Sequence, residues 1–394
     1  MKLRAVAIAS LLSIWAAACT EPLEFAEWTI PVAEGARIIE YAAVPLEERT
    51  ERVELTQELV LGAGGGEYDS FYGNVLFDVD TDGNVYVLDG GNFRVLVFDA
   101  NGNFVRTFGR RGEGPGEFAN PMGFAFSGGR LVIEDMSLAR FSAFDPRGQL
   151  LQEDHMEERL LFLQGYGLPD GDVIALKQAM VMNGVFMPGI LVRISSTGSV
   201  VHEYAGAPAT ERKEADELDK RLLVAVSRTG FSVDPEGGIS FTAAEEYQVL
   251  KFAAGGAMTW ALRVAHHRIP YPQDLVDARL ARARERRPDR APSEYYVPEH
   301  QPALSSIATD GHGHLWVFPW VYPSGPDEDA GLRPVDIYAS DGTRLFSGLI
   351  DDLIDGSFNT GWVHAQGDHV YTDELDAETG ERIIVRYRLV EPFE

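Results

Sequence analysis

The densest group of reactive side chains is the glycine-rich run RRGEGPGEF, which begins with Arg110 and Arg111. Two guanidinium groups on a flexible backbone can grip a carboxylate or a phosphate of a ligand. In the structural interpretation, which we favour, an arginine pairs with Glu113 or Glu117, and Phe118 fills a gap between packed units. No strand followed by GKS or GKT is present, so the run is not a nucleotide-binding P-loop.

A second set of candidates places acidic residues near an arginine at equivalent positions of two successive segments. If the segments surround an opening, the repeated charges could bind a polar ligand or a divalent cation. In the alternative, which we favour for each residue, Asp and Asn side chains hydrogen-bond to their own turns and the arginine is an ion-pair partner. The candidates are Asp89, Asn92 and Arg94, followed by Glu134, Asp135 and Arg140.

The nine histidines do not form a metal-binding pattern. His312 and His314 lie in a predicted tight turn, and the adjacent His266 and His267 cannot share one face of a strand. There is no HExxH motif and no cysteine cluster, so a zinc site is not expected. We predict no cofactor and leave a divalent cation open. His364, on a predicted inner strand, could either approach a central channel or be packed.

The elements that would position these residues come from a repeat, which is clearest at residues 75–108. This segment contains four apolar-rich strands separated by TDGN, DGGN and DANGN. Asp-Gly and Asn-Gly between alternating hydrophobic residues favour hairpins, because glycine accepts the positive φ that such turns need. Four strands in a simple meander form one blade of a β-propeller.

The first hairpin of this repeat occurs six times along the chain, whereas the second occurs five times. The last unit therefore lacks a fourth strand, and the segment 52–62 provides a spare one. Pairing of the two ends would close a ring and remove its exposed sheet edges. We predict an all-β fold, a six-bladed β-propeller at residues 52–394 whose last blade is closed by an N-terminal strand.

The turn lengths divide the predicted disc into two faces. The first and third turns of each blade lie on one face and are uniformly tight. The second turns and the inter-blade connections lie on the other, which we call the looped face. Long loops on a rigid scaffold commonly carry binding or catalysis. The long segments are 109–120, 177–189, 205–222, 269–302 and 319–333.

An arginine-rich stretch, DLVDARLARARERRPDR, interrupts the β pattern at residues 274–290. A rough apolar stripe and two flanking prolines predict a short helical insertion at about residues 272–290. This basic helix could be a lid over the mouth of the propeller or a dock for an acidic partner. The alternative, which we favour, is a solvated helix that rests on the disc.

The N-terminus resembles the signal of a bacterial lipoprotein. Basic residues precede an apolar run at 5–18 that is too short to span a bilayer comfortably. Three alanines then lead to Cys19, the only cysteine of the chain. The alanines would also suit ordinary signal cleavage, but a lone thiol at the cleavage point favours lipidation. We predict a signal peptide at 1–18, lipidation of Cys19, and a lipidated N-terminus and linker at 19–51.

The stretch YVLDGGNFRVLVFDANGNFVRTFG closely resembles an NHL repeat. The GRRGEGPGEFANP that overlaps its end is similar to the inter-blade motif of six-bladed propeller lipoproteins of bacterial envelopes. The resemblance implies the fold and a lipid-anchored place in the bacterial cell envelope, facing the periplasm or at the outer membrane. It implies almost nothing about activity, since NHL-like propellers include binders, lactonases and lyases.

The formal net charge of −27 argues against nucleic acid as a partner, because an acidic surface repels phosphate backbones. The sequence has no nucleophile elbow, metal ligand set or cofactor fingerprint. We therefore predict a monomeric binding or scaffold protein that meets a protein or glycan through its looped face and touches the membrane only through its lipid. The alternative is a lactonase or lyase with a divalent cation at the central mouth. A periplasmic sensor module is a third, weaker interpretation.

Overall fold

The structure is a computed structural model, and part of the chain is described in it. The predicted signal peptide at 1–18 and Cys19 lie outside the described residues, as do most of the long segments 177–189, 205–222 and 319–333. The described residues are 23–64, 66, 68–156, 165–177, 190–206, 221–222, 230–286, 288–289, 291, 295–296, 299–320, 332–351, 364–376 and 378–390.

Six antiparallel blades form the core of the fold, and each is a meander whose first strand is innermost. Two strands, β1 (Arg37–Ala42) and β2 (Arg52–Leu61), precede the first blade. Blade 1 contains β3 (Val75–Val79), β4 (Val85–Asp89), β5 (Arg94–Phe98) and β6 (Phe104–Phe108). Blade 2 contains β7 (Pro121–Ser127), β8 (Arg130–Asp135), β9 (Arg140–Phe144) and β10 (Leu150–His155). Blade 3 contains β11 (Gly165–Gly167), β12 (Val173–Lys177), β13 (Ile190–Ile194) and β14 (Val200–Gly206).

The remaining blades repeat this arrangement after a short strand, β15 (Arg221–Leu222). Blade 4 contains β16 (Gly230–Val233), β17 (Ile239–Thr242), β18 (Gln248–Phe252) and β19 (Met258–Ala265). Blade 5 contains β21 (Leu304–Thr309), β22 (Leu315–Pro319), β23 (Leu332–Tyr338) and β24 (Arg344–Asp351). Blade 6 contains β25 (His364–Gln366), β26 (His369–Leu375) and β27 (Arg382–Val390).

The N-terminal strand β2 completes blade 6, which confirms the predicted ring closure. It runs antiparallel to β27, with Leu55 opposite Leu389 and Leu61 opposite Ile384. Its first residues also pair in parallel with β24 of blade 5, where Arg52 lies opposite Leu349. The two ends of the chain thus share one sheet, and the predicted all-β, six-bladed propeller is confirmed.

The middle strands are apolar on both faces because each blade packs between two neighbours. All five residues of β4 are buried, and in β5 every residue except Arg94 is buried. The outermost strand β6 has only exposed and half-buried residues. The core is therefore a series of apolar layers between blades; Phe118, 1% exposed, fills the layer between blades 1 and 2.

Aspartate side chains stabilise the tight first and third turns, which lie on the face opposite the looped face. In the first turn of blade 1, Asp80 Oδ1 accepts hydrogen bonds from the backbone N–H of Asp82 and of Asn84, both at 2.9 Å. An Asp side chain that bonds to N–H groups two and four residues ahead stabilises such a turn. The other aspartates with this pair of bonds are Asp99, Asp145, Asp234 and Asp310.

The predicted linker at 19–51 contains a strand and buried side chains. Strand β1 adds a fifth, parallel strand to the outer edge of blade 4, with Arg37 opposite Trp260. Before it, Ile30 is buried against side chains of blades 3 and 4. After it, a short 3-10 helix (Leu46–Glu48) leads to Arg49, whose buried guanidinium lies 2.8 Å from Asp336 of blade 5. The described part of this segment therefore packs along blades 4 and 5.

Three further elements lie on the looped face. A 3-10 turn (Gly90–Asn92) joins β4 to β5. Strand β15 pairs in parallel with β20 (Tyr295–Tyr296), which links two inter-blade connections. The helix α1 (Gln273–Arg286) lies inside the segment for which the sequence predicts a helix. No helix in the described part of the chain combines the length and apolarity that crossing a membrane requires.

Candidate binding face

The acid of the first candidate group, Asp89, is fully buried at the looped-face end of β4. Its Oδ2 accepts hydrogen bonds of 2.8 Å from Asn92 Nδ2 and from Arg94 Nε. Its Oδ1 accepts a 2.8 Å bond from the backbone N–H of Tyr72. The three sequence candidates are therefore brought together. The Arg94 ion pair is the one that the structural interpretation expects, whereas the backbone donor to Asp89 is Tyr72, before β3, and not a residue of its own turn. Ligand binding by this group stays a prediction.

The second candidate group has the same character. Asp135 is buried, and its carboxylate accepts four backbone hydrogen bonds of 2.7–3.1 Å. Arg140 donates 2.9 Å to the carbonyl of Gly114 and lies 3.3 Å from Glu153. Glu134 is fully buried on β8. Asp135 and Arg140 thereby fix the inter-blade loop 109–120 to blade 2. The donors to Asp135 are the N–H groups of Ala119, Asn120, Ser137 and Leu138.

The two arginines of the glycine-rich loop have different surroundings. Arg110 is exposed and donates a 2.7 Å hydrogen bond to Glu117 Oε1, as one form of the structural interpretation requires. The Gly114 N–H, with Arg110, holds the pKa of Glu117 below its ordinary value by hydrogen bonding to its carboxylate. Arg111 is also exposed, but its guanidinium lies over the ring of Phe93, 5.3 Å from the centroid. Arg94 also lies over a ring, 5.6 Å from the centroid of Tyr68, but it is half-buried, whereas Arg111 is an exposed guanidinium beside an aromatic ring.

Phe93 has a backbone conformation that is rare for a bulky residue. Its φ is 58° and its ψ is 39°, in the left-handed region. A non-glycine residue there costs about 1 kcal/mol or more, and such outliers cluster at functional sites. The same turn of blade 2 has Ala139 at φ 50°, and that of blade 4 has Ala244 at φ 61°. Among the second turns that the structure describes, only that of blade 1 places a large aromatic ring at this strained position, which makes the ring of Phe93 a candidate contact.

Tyr72 is a second aromatic side chain at the same turn, and it is 71% exposed. Its backbone is held from both sides, by the bond to Asp89 and by a 2.7 Å hydrogen bond from the Gly91 N–H to its carbonyl. A Cβ on Gly91 would lie 2.5 Å from Tyr72 Cδ1, so this approach requires glycine. Tyr72 is thus an exposed ring on a fixed backbone. We call Tyr72, Phe93 and Arg111 the blade 1 patch.

The sequence analysis did not single out Tyr72 or Phe93. The segment before β3 has no strand pattern, so Tyr72 could not be placed on an element. Phe93 carried a usable signal: it stands between Asn92 and Arg94 in DGGNFR, at the position that Ala139 occupies in blade 2. A large ring in a tight turn is unusual; in the structure it is half-buried and packs against the apolar layer between blades 1 and 2.

The central channel holds a second polar group. Asp78 of β3 and His364 of β25 lie with Oδ1 and Nδ1 2.8 Å apart, and the His364 ring also packs against Tyr371, so this histidine joins blade 6 to blade 1. Asp78 Oδ2 accepts a 2.7 Å hydrogen bond from the Phe126 N–H of blade 2. Burial, together with the Asp78 carboxylate, raises the pKa of Tyr166 on β11. A similar contact joins the inner strands of blades 4 and 5, where Ser232 Oγ and Thr309 Oγ1 are 2.7 Å apart.

These channel contacts join blades rather than converge on one point. Among the described residues, no group of three or more His, Cys, Asp or Glu side chains is placed to hold a metal ion. His312 and His314 pair with acids in or beside their turn, at 2.8 Å to Asp368 and 3.0 Å to Asp310. A divalent cation at the mouth therefore stays a prediction.

Comparison with known proteins agrees with the blade count. A family model, DUF5128, described as a 6-bladed beta-propeller, matches residues 76–163, which is most of blades 1 and 2. The description covers the architecture and names no activity. The closer resemblance to NHL repeats stays a prediction.

Solved structures that resemble this chain share little sequence with it. A Bacteroides fragilis protein inferred to be exported is 13% identical, with a TM-score of 0.49 over 90% of this chain and 99% of its own. Virginiamycin B lyase from Staphylococcus aureus is 13% identical, with a TM-score of 0.42 over 86% of this chain and 100% of its own. A gluconolactonase from Xanthomonas campestris is 13% identical, with a TM-score of 0.41 over 87% of this chain and 99% of its own. At these identities the resemblance concerns the fold alone.

Proposed function

We propose that the chain is a lipid-anchored propeller of the bacterial cell envelope that binds a partner through the blade 1 patch on its looped face. The observation that supports this most is the patch itself: the exposed ring of Tyr72 before β3, the half-buried ring of Phe93 after the 3-10 turn, and the exposed guanidinium of Arg111 on the next inter-blade loop. Aromatic residues and arginine are enriched among the residues that dominate binding energy at protein interfaces. A rigid ring also loses little conformational entropy when it is covered.

The remaining candidates support this proposal by holding the patch in place. Asp89 fixes the backbone of Tyr72, and Asp135 and Arg140 fix the loop that carries Arg111. Buried acids with several backbone donors make a turn rigid, since each lost bond would leave a buried polar group without a partner. A scaffold whose buried acids hold two neighbouring loops in one conformation is suited to binding by preorganised contacts. A protein partner is favoured by the Tyr, Phe and Arg composition, and a glycan is the alternative.

A photocrosslinking amino acid at Tyr72 tests the proposal in cells. We expect an adduct of defined size from position 72 and none from Asn101, an exposed residue in a tight turn of the opposite face. In the position-72 protein, Arg111→Ala should weaken the adduct at least tenfold, whereas Arg110→Ala on the same loop should leave it unchanged. Tryptic peptides of a second protein in the mass spectrum of the adduct identify a protein partner, and a loss of mass on glycosidase treatment identifies a glycan. The absence of an adduct, or equal adducts from both faces, would contradict the proposal.

A further inference from the structure

The described chain begins at the looped-face end of blade 4. Glu24 forms an antiparallel bridge with His266, the residue that follows the outermost strand β19. Thr29 then donates a 2.9 Å hydrogen bond from its backbone N–H to Gln248 at the start of β18. Because β18 starts and β19 ends on the looped face, the first described residues lie at this corner of the propeller.

The distance between this corner and Cys19 is short. Glu24 lies five positions after Cys19, and an extended chain spans about 3.5 Å per position, so the reach is at most roughly 18 Å. A free linker from 19 to 51 would let the disc stand far from the membrane in any orientation. The observed packing of Ile30 and pairing of β1 remove that freedom. A lipid on Cys19 therefore brings this corner of blade 4 to the membrane surface.

The basic helix α1 lies in the connection that starts at the same corner. Pro270 bridges His300, and the Gln301 N–H donates 2.7 Å to the carbonyl of Ile269, so the base of the excursion that carries α1 is closed four residues after His266. Along α1, Arg279, Arg282 and Arg286 follow one another at spacings of three and four, which places them on one side of the helix. All three are exposed, and none makes an ion pair with another described residue.

We propose that this corner of blade 4, with α1, rests on an anionic phospholipid surface. The arginines of α1 are a basic island on a chain of net charge −27, and basic side chains near such a surface are attracted to its negative charge. Leu23 and Phe25, beside the corner, are 38% and 42% exposed and supply apolar contact at the interface. The inference rests on the lipid anchor of the proposed function, and it adds an orientation to that anchor.

The orientation leaves the blade 1 patch open. In a ring of six blades, blade 4 lies opposite blade 1. With the blade 4 corner held at the lipid surface, Tyr72 and Arg111 lie at the far side of the looped face. A partner can then reach the patch without displacing the membrane contact.

Vesicle flotation of the mature chain with Cys19→Ser tests the surface without the lipid. We expect this protein to bind vesicles of phosphatidylcholine mixed with phosphatidylglycerol but not vesicles of phosphatidylcholine alone, and to be released by salt. Joint replacement of Arg279, Arg282 and Arg286 by glutamate should lower the binding constant by a factor on the order of ten or more. The matched variant with lysine at the same three positions should retain binding, and unchanged thermal unfolding of both variants should show that the propeller is intact.

Two results would overturn the inference. Equal binding to both kinds of vesicle would show that charge is not recognised. No binding to either kind of vesicle would exclude a lipid surface as the partner of α1. The helix would then serve as a dock for an acidic protein or as a lid. Both results are independent of the crosslink at position 72 and of lipid labelling at Cys19, so a failure here is distinguishable from a failure of the proposed function.

Discussion

Asp78 and His364 join the first blade to the last, with Nδ1 of His364 2.8 Å from Oδ1 of Asp78. The other oxygen of Asp78 accepts the N–H of Phe126 on blade 2. One carboxylate therefore links three consecutive blades at the place where the ring closes. It stabilises the propeller from the inside, as the pairing of β2 with β27 does from the outside.

Removing this carboxylate should destabilise the ring more than removing its histidine partner. Asp78→Ala leaves the N–H groups of Val79 and Phe126 without their acceptor, so we expect the free energy of unfolding to fall by about 2–4 kcal/mol. His364→Ala removes one contact of a partly exposed ring, and a loss of about 1 kcal/mol is expected. Urea unfolding of the two variants measures both values. Equal losses would mean that Asp78 acts only as the partner of His364.

The sequence predicted the fold because turn chemistry repeats along the chain. Asp80 and Asp145 each begin a turn in which a glycine three residues later takes positive φ, at 82° for Gly83 and 85° for Gly148. The number of these local turn motifs predicts the number of blades, and no tertiary contact has to be known for that prediction. The closing strand β2 was predictable because the count left one strand missing.

The N-terminal segment was not predictable in this way. Strand β1, RIIEYA, pairs in parallel with β19, which follows it by more than two hundred residues. Nothing local distinguishes it from a linker, since Ile38 is 45% exposed and the burial along β1 is partial.

For the candidate site, residue types pointed to the right turn and loop, but a buried acid that fixes a turn and one that binds a ligand have the same sequence pattern.

Ile30→Ala tests whether the segment before β1 is part of the folded unit. Ile30 is 1% exposed between blades 3 and 4, and truncation of a buried isoleucine leaves a cavity, so we expect a loss of about 2–4 kcal/mol. Ile38→Ala, in the same segment but 45% exposed, is the control and should change stability far less. Chemical unfolding measures both. A loss below that of the control would restore the linker interpretation and weaken the argument for a short tether.

Asp135→Ala tests the support of the glycine-rich loop. Four backbone N–H groups lose their acceptor, so the free energy of unfolding should fall by about 2–4 kcal/mol. Hydrogen exchange should also become faster at the backbone amides of Ala119 and Asn120, which directly precede β7 of blade 2. Arg110→Ala, which removes an exposed ion pair of the same loop, should leave the unfolding midpoint unchanged. Normal exchange at both amides in the Asp135 variant would count against the role given to Asp135.

Burial on β26 makes one carboxylate sensitive to pH. Burial raises the pKa of Asp373 to about 6, although its ion pair with Arg382 acts in the opposite direction. Because the folded state then binds a proton more tightly than the unfolded state does, the contribution of Asp373 is fully present below pH 4 and is lost as the pH rises through 6. Relative to Asp373→Asn, the wild-type chain should lose on the order of 2 kcal/mol of stability between pH 4 and pH 7. A difference between the two proteins that does not change with pH would contradict the raised pKa.

Lipidation of Cys19 is testable by labelling cells with an alkyne fatty acid. The wild-type chain should incorporate the label and fractionate with membranes, since the predicted signal ends at this single thiol. Cys19→Ala should abolish the label, because no other cysteine exists to accept it. Thr20→Ala, the adjacent control, should keep the label. Cleavage by ordinary signal peptidase would instead give an unlabelled wild-type protein that is released by salt, since the arginines of α1 would then be its only attachment.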